Sequence, residues 1–395
     1  MISKLQMLFP SLLAISLAAC SGSIGGNVSV RTVVDPPPPP AAGIFGDGRL
    51  DQLVEWSRAS YGLPAMGVVV VVNGQVVEIA AEGLRSATAS ARVTDADLWH
   101  LGSLTKGITS TLAGVLVEHS VLSWDTRPLD VWPELDGSIH SQLRDITLRQ
   151  LLSHTAGIRR VDAAPSAYGD LAAGTIIDKR RAFAADLLAE APASAIGQQS
   201  YSNGGYIIAG AMMETLMSAS WETLVESYVF AALDMNESGF GAPGVPGDLS
   251  QPWGHWDQGI NYDPVSPGPE ADNPQVFGPA GTVHGTMRDY AKFMIAHIDG
   301  FRGIDGFLTS STYSILHTPL HQGSALGWGV SPSEDEPGAT ELGHAGSNLR
   351  WYSVVRLVPE LDAGALFVVN AGGEMASGAI DALDDLLTER FDNSR

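Results

Sequence analysis

A β-hairpin near the start of the folded part constrains the fold more than any other feature of this sequence. Residues 66–83 contain two runs rich in β-branched side chains, and the runs are separated by Asn73-Gly74. Asn-Gly between two such runs is the strongest short-range signal for a hairpin. Residues 351–358 and 364–370, near the other end of the chain, also have the composition of strands. The N- and C-terminal segments are therefore predicted to complete one sheet together.

Helical patterns lie between and beside these strands. Apolar spacing predicts helices over residues 49–60, 103–119, 206–218, 287–298 and 376–391. Thr147 and Gln150 form a capping box that opens a short helix, which Gly157 is expected to close. No internal repeat is visible, so we predict one α/β unit over residues 49–395, with a mostly helical insert at about 120–285.

The N-terminal 19 residues have the form of an export signal. Lys4 precedes an apolar run that ends in small residues and is too short to span a bilayer comfortably. Leu-Ala-Ala-Cys at residues 17–20 resembles the cleavage box of bacterial lipoproteins, in which the cysteine is lipidated. Cys20 is the only cysteine. We expect an exported protein anchored through Cys20 to a bacterial membrane, facing the periplasm or the cell exterior; a plain cleaved signal with an incidental cysteine is the alternative.

Residues 20–48 have the composition of a tether. A leader rich in serine and glycine is followed by five consecutive prolines, residues 36–40. Consecutive prolines form a stiff polyproline II rod that rises roughly 3.1 Å per residue. We therefore expect a flexible, lipidated segment that holds the domain away from the membrane.

One lysine stands in a position that suggests catalysis. The chain has only four lysines, and Lys106 alone follows a serine, Ser103, by three residues. Residues three apart on a helix share a face, so the amine would lie beside the hydroxyl. A serine needs a base to become a nucleophile, and a buried lysine can lose its proton whereas an arginine cannot. An N-cap serine beside an exposed lysine is the structural alternative.

Composition and motif searches argue against several other functions. The net charge of −22 repels phosphate backbones, so a nucleic-acid partner is not expected. The histidines lack the spacing of metal ligands, and neither a metal nor another cofactor is predicted. An α/β-hydrolase would need a serine with glycine at both −2 and +2, and this chain has none.

Three short motifs in a fixed order give the chain its resemblance to a known family. They are Ser-Leu-Thr-Lys at 103–106, Tyr-Ser-Asn at 201–203 and His-Ala-Gly at 344–346, supported by residues 151–157, 279–281 and 286–289. Together they resemble the serine β-lactamase and penicillin-binding protein family, most closely its class C-like branch, over residues 50–390. The resemblance implies a β-lactamase/transpeptidase-like α/β fold, with an antiparallel sheet flanked by helices.

The resemblance also implies roles for individual residues. Ser103 would be the acylated nucleophile, Lys106 its base, and Tyr201 a proton shuttle whose pKa is lowered by nearby positive charge. The backbone N–H groups of Ser103 and Ser347 would form the oxyanion hole. Substrate contacts would come from Asn203, His344, Gly346 and Arg350. His154 is expected to be structural, and we assign it no role.

The third motif departs from the pattern of β-lactamases, which usually have lysine where this chain has His344. A histidine is mostly neutral at pH 7 and attracts a substrate carboxylate less strongly, although Arg350 could restore an anion site. We therefore expect a serine hydrolase of carboxylic esters or small amides. The alternatives are a β-lactamase or D-Ala-D-Ala carboxypeptidase, and a lipoprotein that binds penicillin as a sensor without turnover.

Overall fold

The computed structural model describes residues 37–161, 174–259 and 261–395. The predicted signal, Cys20 and the first part of the tether lie outside these residues. Strands of the described part are β1 Ala65–Val72, β2 Gln75–Gly83, β3 Leu98–His100, β4 Gly239–Phe240, β5 Gly254–Asp257, β6 Tyr262–Val265, β7 Val283–Thr286, β8 Gly329–Pro332, β9 Thr340–Ser347, β10 Tyr352–Val358 and β11 Ala363–Val369. Its helices are α1 Leu50–Ser60, α2 Thr105–Glu118, α3 Pro128–Val131, α4 Leu148–Leu152, α5 Ile176–Ala189, α6 Asn203–Met217, α7 Trp221–Val225, α8 Gly278–Gly281, α9 Met287–Phe301, α10 Ser310–His317 and α11 Glu374–Ser394.

A six-stranded antiparallel sheet in the order β2-β1-β11-β10-β9-β8 forms the centre of the domain, as predicted. The predicted hairpin joins β1 to β2. Asn73 and Gly74 both have positive φ, 52° and 69°, which the favoured two-residue hairpin turn requires. The N-terminal hairpin pairs with the C-terminal strands through β1 and β11, in the register Met66 to Val369.

Both faces of the central sheet are covered, which explains the unbroken valine run in β1. Val69 and Val71 belong to the core that contains α2 and the inserted helices. Val68 and Val70 point to the opposite face, where α1 and α11 pack. Strands buried on two faces have continuous rather than alternating apolar sequences.

The segment before α1 is attached to the domain, contrary to the predicted tether boundary at residue 48. Arg390 of α11 is fully buried and donates to the Ala42 carbonyl at 2.6 Å and to carboxylate oxygens of Asp47 and Glu78 at 2.6–2.7 Å. Trp56 also donates to the carbonyl of Pro37 at 2.9 Å. Sequence composition missed this contact because the cation that holds the segment lies some 340 residues away.

Helices are the main regular elements of the inserted region, which also contributes to two small sheets, β3-β7-β4 and β5-β6. Thr147 caps α4 through the predicted box, but α4 ends at Leu152 and is not closed by Gly157. The reason is that His154 adopts a left-handed conformation, φ 61°, which terminates the helix earlier. No helix within the described ranges is both long enough and apolar enough to cross a membrane.

Candidate active site

The side chains of Ser103, Lys106 and Tyr201 meet at the start of α2. Ser103 lies in a 3-10 turn, Gly102–Leu104, directly before the helix. Its Oγ is 2.9 Å from Lys106 Nζ and 2.8 Å from Tyr201 Oη. Tyr201 arrives from the inserted region, just before α6, whose cap is Ser202. A hydroxyl, an amine and a phenol can therefore exchange protons through direct hydrogen bonds.

Lys106 is fully buried, and its environment favours the neutral amine. Nζ donates to the Ala280 carbonyl of α8 at 2.6 Å and contacts no carboxylate among its recorded partners. Burial, with a smaller contribution from the positive charge of Arg160, holds the pKa of Lys106 well below its usual range. A neutral amine keeps a lone pair that can accept the Ser103 hydroxyl proton.

Tyr201 differs from the expectation that positive charge would lower its pKa. Burial raises the pKa of Tyr201 to about 12, and the hydrogen bond to Ser103 and the charge of Arg160 offset only part of this rise. Tyr201 is therefore a phenol in the resting site and donates its hydrogen to Ser103 Oγ.

Two glycines allow strand β9 to approach the nucleophile turn. A Cβ on Gly346 would lie 2.1 Å from the Leu101 carbonyl oxygen and 2.9 Å from the Ser103 amide nitrogen. A Cβ on Gly102, which has φ +51°, would lie 2.5 Å from the Ser347 nitrogen. Each absent side chain thus makes room for one amide of the predicted oxyanion hole, so Ser103 and Ser347 present their backbones at one place.

His344 lies on the same strand, near the phenol. Its ring centroid is 6.4 Å from that of Tyr201, and its Nδ1 is 2.7 Å from the Ala345 carbonyl oxygen, to which it donates. Burial is the main cause that lowers the pKa of His344 to about 4. The ring is consequently neutral at pH 7, as the sequence comparison with lysine-bearing relatives predicted.

The two remaining predicted substrate contacts have partners within the protein. Asn203 Nδ2 donates to the Val161 carbonyl at 2.8 Å. Arg350 stacks its guanidinium 4.1 Å from the centroid of the Trp256 ring and donates to the Asn348 carbonyl at 3.0 Å. These contacts hold Arg350 against the β5–β6 hairpin.

A comparison with protein families identifies the chain. The family model described as Beta-lactamase matches residues 50–390, which is most of the sequence. The chain belongs to the beta-lactamase family. It is a serine hydrolase of that family, and its fold is the β-lactamase/transpeptidase-like fold.

Individual members of the beta-lactamase family resemble the chain along most of its length. Penicillin-binding protein 4 of Amycolatopsis lactamdurans is 28% identical over 342 residues, which is 84% of this chain and 87% of that protein. The octameric penicillin-binding protein homologue from Pyrococcus abyssi superposes with a TM-score of 0.70 at 23% identity, covering 87% of this chain and 78% of that one. A D-alanine carboxypeptidase from Burkholderia cenocepacia gives a TM-score of 0.67 at 22% identity, covering 86% and 97%.

His154 is a member of this beta-lactamase-family site that sequence reasoning left without a role. Its ring lies against that of Tyr201, with centroids 4.4 Å apart. Its Nδ1 accepts the Ser202 N–H at 3.1 Å, and its carbonyl accepts the Ser200 N–H at 2.8 Å. His154 thus holds the chain on both sides of the phenol. The only sequence signal was its place in the family-like stretch of residues 151–157.

Within the described residues, no three His, Cys, Asp or Glu side chains come together as a metal site would require. The groups that the structure brings together at the site are the hydroxyl, amine and phenol, with backbone amides beside them.

Proposed function

We propose that the protein hydrolyses carboxylic esters or small amides through an acyl-enzyme formed on Ser103. The observation that carries the proposal is the pair of short contacts from Ser103 Oγ to the Lys106 amine and the Tyr201 phenol. Burial lowers the pKa of Lys106 well below its usual range and raises that of Tyr201 to about 12, so both shifts favour the uncharged forms. A neutral base and a protonated phenol are the forms that nucleophile activation and leaving-group protonation need.

Acylation then requires three proton transfers. Ser103 Oγ attacks the substrate carbonyl carbon as its proton passes to Lys106 Nζ. The resulting oxyanion accepts hydrogen bonds from the amides of Ser103 and Ser347. When the bond to the leaving group breaks, Tyr201 gives its proton to that group and takes the proton from Lys106. Water subsequently attacks the acyl carbon, releasing the acid and restoring the serine.

The preference for uncharged acyl groups follows from the neighbours of the nucleophile. His344 is neutral at pH 7, and Arg350 is stacked on Trp256, so neither supports a strong pull on a substrate carboxylate. We propose Asn203 and Gly346 as contacts for the acyl part of the substrate. β-Lactam or D-Ala-D-Ala peptide hydrolysis is the second candidate, favoured by the likeness to penicillin-binding protein 4 and to a D-alanine carboxypeptidase.

A rate panel tests the proposal. Residues 37–395 are assayed on p-nitrophenyl acetate and butyrate, a chromogenic cephalosporin and a D-Ala-D-Ala peptide, with Ser103→Ala as the control. We expect the butyrate ester to have the highest kcat/KM and Ser103→Ala to abolish turnover. Faster hydrolysis of the cephalosporin or the peptide would reverse the preference. A penicillin adduct on Ser103 that persists without turnover would favour the sensor alternative.

We also propose that Cys20 carries a lipid and that the segment before residue 37 tethers the domain. The export-signal pattern of residues 1–19 and the lipoprotein-like box support this. The measurement is incorporation of an alkyne fatty acid into the full chain expressed in a Gram-negative host. Wild type is expected to be labelled and to require detergent for extraction, whereas Cys20→Ser should be unlabelled and should be extracted without detergent. Equal labelling of both chains would contradict the proposal.

A further inference from the structure

A buried histidine and carboxylate lie directly behind the nucleophile turn. His100 ends strand β3, three residues before Ser103, and its side chain is fully buried. Its Nε2 is 2.6 Å from Asp272 Oδ1, and its Nδ1 is 3.1 Å from the backbone nitrogen of Gly102. The two ring nitrogens therefore connect a carboxylate on one side with the turn that carries the nucleophile on the other.

The two contacts together define how the ring must be protonated. The Gly102 N–H can only donate, so Nδ1 must present a lone pair. The proton of a neutral ring is then on Nε2, where it donates to the Asp272 carboxylate. A carboxylate that accepts from one ring nitrogen fixes which nitrogen is left as the acceptor.

The Gly102 N–H is the last backbone donor before the oxyanion amide of Ser103. Gly102 has φ +51°, and the position of its missing Cβ is only 2.5 Å from the Ser347 nitrogen. A small rotation of this turn therefore changes the relation between the two amides. The Leu101 carbonyl beside it is held separately, by the Ser353 hydroxyl at 2.8 Å.

We propose that His100 and Asp272 form a positioning pair for the oxyanion hole. Asp272 selects the tautomer, His100 Nδ1 holds the Gly102 N–H, and the turn so fixed sets the Ser103 amide beside that of Ser347. The pair touches neither substrate nor the reacting atoms. The inference rests on the proposed function, since it assigns these amides to an oxyanion.

Two substitutions separate the contacts of His100. Asparagine places an oxygen near the position of Nδ1 and accepts the N–H two residues ahead, as in an Asx-turn, but cannot reach Asp272. Glutamine places a donor near the position of Nε2 and keeps the carboxylate bonded, but leaves the Gly102 N–H without its acceptor. His100→Asn should thus preserve the hydrogen bond that holds the Gly102 turn. His100→Gln should instead preserve the hydrogen bond to the buried Asp272 carboxylate.

The two variants are then expected to differ in which property they lose: His100→Gln mainly activity, and His100→Asn mainly stability. His100→Gln should lose about 10- to 100-fold in kcat on p-nitrophenyl butyrate with little change in KM, since misplaced oxyanion donors slow the chemical step. His100→Asn should keep kcat near the wild-type value but have the lower melting temperature, because it leaves Asp272 buried without its donor. Rates are expressed per active site, counted by complete labelling with a fluorophosphonate.

His284→Gln is the matched control. His284 pairs with His100 across β3 and β7, is half-buried, and has an Nδ1 contact of 2.9 Å with the Gly241 carbonyl oxygen that glutamine would remove. It should be destabilised yet keep the wild-type kcat. Asp272→Asn provides a second route if a His100 variant does not fold; it should lower kcat, because an amide can donate to Nε2 and select the wrong tautomer.

The outcomes distinguish this inference from the proposed function. If wild type is active but His100→Gln keeps full kcat, or if kcat in all variants follows the melting temperature, the positioning role is wrong and the hydrolase assignment stands. If wild type neither reacts with fluorophosphonate at Ser103 nor hydrolyses the ester, the proposed function fails, and the inference fails with it.

Discussion

Replacing Lys106 by methionine is expected to remove activity and, at the same time, to change how stability depends on pH. Methionine has a similar length and no charge, so it fills the buried position without an amine to desolvate. The base is lost, which should lower kcat by about 10²- to 10⁴-fold. Loss of the hydrogen bond to Ala280 costs about 1 kcal/mol of unfolding free energy at any pH.

The pH term follows from proton binding in the two states. Lys106 is buried and its pKa is well below the usual value, so the folded protein holds a neutral amine where the unfolded chain holds a protonated one. The unfolded state binds more protons, so stability rises with pH above the native pKa and up to about 10.4. The slope is about 1.4 kcal/mol per pH unit. Lys106→Met lacks this contribution. Over two pH units of that window, the unfolding free energy of the wild type should therefore rise by about 2.7 kcal/mol relative to that of Lys106→Met.

Urea unfolding of wild type and Lys106→Met, measured at pH values from 7 to 9.5, gives the two slopes. Other titrating groups are shared, so the difference between the slopes isolates Lys106. Lys179→Met, at a half-buried position of α5, is the control and is expected to follow the wild type. Parallel curves for wild type and Lys106→Met would mean that the folded protein holds an ammonium, and the role of this residue as a base would have to be abandoned.

Substitutions at three further positions test other parts of the site. Tyr201→Phe keeps the ring but removes the phenol proton, and should lower kcat by about 10²- to 10⁴-fold with little loss of melting temperature. Gly346→Ala should lower kcat by about 10²- to 10³-fold per labelled active site, because its Cβ would lie 2.1 Å from the Leu101 carbonyl oxygen and push strand β9 from the nucleophile. His154→Asn suits the left-handed backbone and can still accept the Ser202 N–H, so it should retain more kcat than His154→Ala; equal loss in both would leave only the ring contact as the reason for the histidine.

The parts of the fold that sequence predicted are those set by neighbouring residues. Asn73-Gly74 fixed the hairpin, and the Thr147 side chain caps α4 through the box that its spacing to Gln150 predicted. The Ser103–Lys106 contact is also local, because three residues at a helix start bring two side chains to one face. Patterns of this kind need no knowledge of the tertiary structure.

Properties that depend on distant segments were outside the reach of the sequence. The pKa of Tyr201 was expected to fall and instead rises, because the degree of burial depends on how the inserted helices close over α2. Arg390 secures residues 42–47 from the far end of the chain, and composition alone made that segment a tether. The contact of His100 with Asp272 joins residues 172 apart.

One physical cause accounts for three chemical properties of this site. Removing water from Lys106 favours its neutral form, as the proposed base requires; removing water from Tyr201 keeps its proton, as the proposed donor requires. The same burial keeps His344 neutral and reduces the attraction for carboxylates. A cationic residue at position 344 would lower the pKa of Tyr201 and so ease the loss of its proton. It would also attract substrates that carry a negative charge. The proposed selectivity for uncharged esters and the resting protonation of the site are therefore linked, and a His344→Lys variant should shift the rate panel towards substrates that carry a carboxylate.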